Sequence, residues 1–200
     1  MSAASSVAAL RRFVQPREAE EHCDTCGAAL PVEHRHNFDP STGRIRCACD
    51  SCEVLYAGIY SPVPRSVRML PDFRMSDAQW DDLMIPISLA FFSYSTSAGK
   101  VFAMYPGPAG AAESLLRLET WGEILAQNPE LGDMQPDVEG LLVNRVGSAR
   151  EYFVVPIDQC YTLVGLIRVH WRGLSGGALV WGEIARFFDS LRRKAAPCPI

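Results

Sequence analysis

The stretch that most constrains this chain runs from residue 22 to 57, HCDTCGAALPVEHRHNFDPSTGRIRCACDSCEVLYA. It holds five of the seven cysteines and three of the four histidines. It begins with Cys23-Asp24-Thr25-Cys26-Gly27 and ends with Cys47-Ala48-Cys49-Asp50-Ser51-Cys52. Two Cys-x-x-Cys pairs joined by a short hairpin-like segment are a specific metal signature. Each pair delivers two thiolates from one tight turn, and the hairpin brings the turns together. Gly27 follows the first pair, where such a turn needs a residue that tolerates positive φ.

The segment between the pairs reads as that hairpin. Val32 to Phe38 forms one strand and Arg44 to Ala48 the other, with turn chemistry in Asp39-Pro40-Ser41-Thr42-Gly43. Glu53-Val54-Leu55-Tyr56 continues from the second pair as the start of a helix. A turn, a hairpin and a helix that donates ligands from its first turn describe a treble-clef or zinc-ribbon-like module. The ligand set expected from the shared spacing is Cys23, Cys26, Cys49 and Cys52, with Cys47 as an alternative to Cys49. His34 and His36 project from one face of a strand, because side chains alternate with period two. They are open as ligands, as supports for ligands or as surface residues. Four thiolates favour zinc, and a rubredoxin-like iron site is the alternative.

Two hundred residues accommodate one medium domain, or a small metal module and one further domain, and 48% hydrophobic residues supply a core. A net charge of −4 argues against a general nucleic-acid binder. The N-terminus, MSAASSVAALRRF, lacks the apolar stretch of a secretory signal, and no window reaches the length of a membrane span. A cytoplasmic protein with reduced thiols is therefore expected, with no membrane partner.

Along the chain, four regions are expected: a mobile tail over 1–20, the metal module over 21–60, an α+β domain over 61–194 and a mobile C-terminus over 195–200. The tail has room for a short helix around Val7 to Val14. Tyr60 to Pro64 reads as a stiff extended connector. Ser76 caps a helix through Leu83, and Pro86 stops it. Ile87 to Tyr94 and Lys100 to Tyr105 form a hairpin, and Pro106 to Gly110 a rigid loop. Glu119 to Gln127 is helical. Val138 to Val146 reads as a strand or a short helix, and Glu151 to Ile157 as a strand. A helix follows from Asp158 to Trp171, and Gly173 to Gly177 breaks it. The last helix, Leu179 to Arg193, is expected to bury Val180, Trp181, Ile184, Phe187, Phe188 and Leu191. Strands arriving as hairpins between helices favour an antiparallel sheet covered on one side by helices. Cys160 falls on an apolar helix face and reads as core. His170-Trp171-Arg172 reads as an exposed helix end suited to complementing the dipole or meeting a partner. No phosphate-binding Gly-rich loop or nucleophile elbow is present in the sequence.

Two resemblances add to this. From Cys23 to about Lys194 the chain resembles a bacterial protein family encoded beside genes for high-affinity nickel–iron hydrogenases. The shared features are the cysteine block with His34-Arg35-His36, Ala90-Phe91-Phe92, Tyr105-Pro106, Asp137-Val138-Glu139, Pro156-Ile157-Asp158 and Trp171 to Gly177. That resemblance implies a context, hydrogenase biogenesis, metal supply or electron transfer, with hydrogenase subunits or maturation factors as partners. Locally, Val32 to His36, Thr42 to Arg46 and the second Cys-x-x-Cys are similar to HNH nucleases of the recombination-endonuclease type. In that family an Asp-His pair binds a catalytic metal and activates water, so the resemblance would make His34 the general base, with Glu33 in the Asp place. Glu33 replaces the family's Asp, Glu53 stands where Asn is expected, and the link before Thr42 is longer. The departures fall on the catalytic positions and spare the metal scaffold. The sequence thus points first to a non-enzymatic zinc-binding accessory protein, then to a redox or metal-delivery protein, and third to a degraded nuclease.

Overall fold

Consecutive apolar residues in three segments decide the architecture. A strand with one wet face alternates apolar and polar residues, whereas one covered on both faces does not. Phe91-Phe92, Leu141-Leu142-Val143 and Phe153-Val154-Val155 are all buried, so their sheet has two cores. The computed structural model describes residues 20–114, 118–173 and 175–196. The helix expected over Val7 to Val14 lies outside them.

The metal module carries β1 (Arg35–Asp39), β2 (Arg44–Ala48) and α1 (Asp50–Leu55). β1 and β2 form an antiparallel hairpin in which Arg35 faces Ala48 and His36 faces Cys47. β1 starts three residues later than Val32, because Val32 and Glu33 sit in a bend. The connector carries a two-residue strand, β3 (Ser61–Pro62), that pairs antiparallel with β1. The small sheet has the order β2-β1-β3. The proline at its edge fits, because an edge strand can spare one N–H.

The larger sheet is built from β4 (Val67–Met69), β5 (Leu89–Ser95), β6 (Lys100–Gly107), β7 (Gly110–Glu113), β8 (Glu139–Asn144), β9 (Glu151–Pro156) and β10 (Ala195–Ala196). Its order is β10-β4-β9-β8-β5-β6-β7. The described pairings are antiparallel except β10 with β4. Val138 to Val146 resolves as strand. The loop expected at Pro106 to Gly110 is instead a tight hairpin, since β6 runs through Pro106 and β7 restarts at Gly110. Pro106 sits near the end of β6, and Gly110 takes φ +127°, a conformation open to glycine. Ala195 and Ala196, expected to be mobile, pair with Val67 and Arg68.

Helices cover both faces, which corrects the one-sided expectation. On one face, α4 (Ile157–His170) and α5 (Gly177–Lys194) pack Cys160, Leu163, Ile167, Ile184 and Phe188 against Phe91, Leu142 and Phe153. On the other, α2 (Asp77–Asp82), α3 (Leu118–Gln127) and a 3-10 turn (Pro129–Asp133) bring Trp80, Trp121, Ile124 and Leu131 to Phe92, Leu141 and Val154. Trp121 stacks on Phe92 with centroids 4.7 Å apart. Ser76 caps α2 by a reciprocal capping box with Gln79. Cys160 is fully buried, and burial pushes its thiol strongly up, in keeping with a core residue. It packs close to Gly140 of β8, where an added Cβ would stand 3.2 Å from its sulfur.

One side chain on α5 departs from its expected place. Trp181 is 41% exposed, its indole N–H donating to the Ser175 carbonyl at 3.1 Å. Trp171 is half-buried at the end of α4 and donates to Gly173. Among the described residues no helix is long and apolar enough to cross a membrane.

Candidate metal centre

The first turn folds on itself. The Cys23 amide donates to the Ala28 carbonyl and the Gly27 amide to the Cys23 carbonyl, both at 2.8 Å. Gly27 takes φ +73°, the left-handed conformation the sequence calls for. Asp24 laces this turn to β2: its amide donates to the Cys47 carbonyl at 2.9 Å, and its carboxylate accepts from the Cys47 amide at 2.7 Å.

The second turn opens α1. Cys49 occupies the N-cap position with extended backbone, and Cys52 lies in the first helical turn. The short helix thereby points a second pair of thiols at the first.

Cys23, Cys26, Cys49 and Cys52 each place a sulfur within 4.8 Å of the others. Cys26 and Cys49 sulfurs are 3.7 Å apart. A tetrahedron with metal–sulfur bonds of about 2.3 Å has edges of about 3.8 Å, whereas a disulfide would need about 2.05 Å. The 3.7 Å spacing matches an edge of that tetrahedron and is far too long for a disulfide. All six described cysteines are free. The donor set therefore fits one tetrahedral ion, and four sulfurs select a thiophilic one.

The four thiols are not equivalent. Cys23 and Cys52 are buried, Cys49 is half-buried and Cys26 exposed. Burial pushes the Cys23 thiol up, but the amides of Cys49, Cys26 and Thr25 outweigh it and bring the group down to about 6. Burial, reinforced by its three cysteine neighbours, pushes Cys52 up to about 12. Packing several thiolate charges this close together is costly. A divalent cation removes that cost.

Cys47 does not belong to this group. Its sulfur lies with His34 and His36, the three ligand atoms again within 4.8 Å of one another. The hairpin register shows why. Cys47 faces His36 across the hairpin, and His34 lies two residues before His36, on the same side. The His34 ring is 4% exposed and the His36 ring 27%. The His34 Nδ1 stands 2.9 Å from the Pro31 carbonyl oxygen, and the His36 Nδ1 2.8 Å from an Asp158 carboxylate oxygen. Burial first, then the charges of Asp24, Glu21 and Cys23, push the Cys47 thiol up.

Sequence reasoning missed Asp158 as part of this region, since it is 122 residues from His36. In the sequence it marks only the start of a helix. The sharper signal was the proximity of His34, His36 and Cys47 once the hairpin register was fixed. Glu33 is exposed, and His170, at the end of α4, is outside both groups.

What the fold and the site define is an α+β protein in which a cysteine-rich hairpin module sits beside a two-cored, mainly antiparallel sheet. The chain belongs to DUF5947, a family of unknown function whose profile matches residues 22–195. No curated protein and no solved structure matches it significantly.

Proposed function

We propose that the protein is a non-enzymatic, zinc-binding accessory protein that acts in nickel–iron hydrogenase biogenesis or assembly through contacts with hydrogenase subunits or maturation factors. The observation that carries the metal half is the group of four cysteine sulfurs within 4.8 Å of one another. The order of turn, hairpin and helix supports a treble clef, in which the ion acts as a structural clip. Such an ion contributes folding energy to a module too small to hold itself. Reduced thiols of this kind suit the cytoplasm.

The partner half rests on the sequence resemblance described above. Apolar surface on the module supports it: Val54 and Leu55 are each 75% exposed and Ile59 61%. Apolar side chains grouped on so small a module are surface for a partner to cover. Deleting the gene in a strain with an active nickel–iron hydrogenase is expected to lower that activity and restore on complementation. Unchanged hydrogenase maturation and activity would sink this half.

Metal analysis of protein purified without added metal tests the other half. One zinc per chain at the four thiols, with no colour, supports the clip. Iron with visible thiolate charge-transfer bands would replace it with a redox site. The nuclease reading is less well served by the geometry. A general base must meet water, and the His34 ring is 4% exposed with its Nδ1 held by a carbonyl. A divalent-metal nicking assay with a His34→Ala control decides it.

A further inference from the structure

We propose that His34, His36 and Cys47 form a second metal site, separate from the four-thiol cluster, that takes a borderline divalent cation such as zinc through two imidazoles and one thiolate and leaves a fourth position open. This inference does not depend on the hydrogenase role or on which ion fills the four thiols.

Tautomers carry the argument. The Pro31 carbonyl oxygen beside the His34 Nδ1 can only accept, so that nitrogen carries the ring's hydrogen. The Asp158 carboxylate fixes the same tautomer on His36. In both neutral rings the lone pair is then on Nε2, the form in which imidazole binds a metal. The His34 Nε2 is buried with no hydrogen-bond partner among the described residues. A buried acceptor without a partner is costly, and each such group calls for an explanation. Here the missing partner is an ion, with Cys47 and His36 close enough to share it.

The supporting contacts have the pattern of a metal site. A histidine ligand almost always donates its second nitrogen to a carboxylate, a carbonyl or water, which orients the ring and raises its basicity. His36 uses a carboxylate from α4, and His34 a backbone carbonyl, with a Glu21 carboxylate oxygen 3.5 Å away. Two imidazoles and one thiolate suit zinc, copper or nickel rather than calcium or magnesium. Three protein ligands with a vacancy distinguish a reactive or exchangeable site from a closed structural one.

One of the three residues borders open space. His36 and Asp158 line a groove of about 780 Å³ between the module's hairpin and the large sheet, with Ile45, Tyr94, Met104 and Tyr161 on its walls. His34 and Cys47 do not line it. Because Asp158 belongs to α4 and His36 to β1, the ion would also tie the module to the body.

The test is zinc stoichiometry on the full chain, loaded with zinc and then dialysed against a chelator of micromolar zinc affinity. Two zinc ions per chain are expected for the wild type. One is expected for Cys47→Ser and for His34→Gln, each with unchanged circular dichroism. Cobalt substitution identifies which site is lost: charge-transfer intensity scales with the number of thiolates, so the variants should lose only the weak, one-sulfur contribution. Asp158→Asn is expected to weaken the second zinc about 10- to 100-fold while leaving two sites at saturation. A wild type that keeps a single metal ion in all, iron and zinc counted together, overturns the site. So does a second zinc that survives both Cys47→Ser and His34→Gln, because adventitious surface binding would then account for it. Should Cys47→Ser misfold, His34→Gln decides by the same count.

Discussion

The module and the sheet body solve the same problem with different materials. Between residues 20 and 62 the buried apolar side chains are Cys23, Ala48 and Cys52, two of which are candidate ligands. Phe38 and Ile45 are only half-buried, and both pack on the core of the body. The body instead buries Phe91, Phe92, Phe153 and Phe188 almost completely, with leucines and isoleucines between them. Each fully buried aliphatic or aromatic side chain contributes about 1.5–3 kcal/mol through lost water contact. The body therefore meets its conformational entropy with apolar area, while the module has almost no interior except sulfur. A region with so little core must borrow stability from an ion, from its neighbour or from both.

The largest effect that can break this contrast is removal of a buried candidate ligand. Cys52→Ser should abolish binding at the four thiols, and a structural zinc contributes about 10–16 kcal/mol in isolated modules. Hydrogen exchange should show β1, β2 and α1 losing protection while β8 and β9 keep theirs. If β8 and β9 lose protection to the same extent, the two regions form one cooperative unit and the contrast fails. The next effect belongs to the body. Phe153→Ala deletes a fully buried ring next to Phe188, 6.1 Å away between centroids. It should cost about 3–5 kcal/mol in denaturant unfolding. The metal content of the protein that remains folded should not change.

The module was the more legible region, because its chemistry is local. Ligand spacing, the turn at Asp39 to Gly43 and the positive φ of Gly27 all lie within a few residues of what they determine. In the body, strand and helix positions were legible from periodicity, as at Glu151–Pro156 and Leu118–Gln127. The second covered face was not inferred, although Leu141-Leu142-Val143 and Phe153-Val154-Val155 carried the sign of it. β4 and β10 escaped notice since strands of three and two residues have no period to read. β7 escaped because Gly110-Ala111-Ala112-Glu113 has no strand-forming side chains. The partition of the candidate ligands has two causes: the hairpin register places Cys47 opposite His36, and β2 ends at Ala48, so Cys49 caps α1 and joins the other thiols. The His36–Asp158 contact depends on long-range packing, which no local pattern encodes.

The smallest of the three effects tests whether the body can be strained without the module feeling it. Gly140 lies where β8 passes under α4: an added Cβ would meet the Cys160 sulfur at 3.2 Å, the Phe92 carbonyl oxygen at 3.3 Å and Ile157 at 3.6 Å. Gly140→Ala should therefore cost about 1–3 kcal/mol by overpacking. Ile157 immediately precedes Asp158, so strain at this point is one residue from the carboxylate that holds His36. Adding Cys160→Ala removes the sulfur but leaves the Phe92 carbonyl, so the double variant should regain part of the loss rather than all of it. Melting of the two single variants and the double variant measures that coupling. Retention of the ion at the four thiols should be the same in all of them, since none of their contacts reaches that cluster. A change in retention that follows the Gly140 strain would show that α4 passes it through Asp158 and the hairpin, and the module would then be an extension of the body's core.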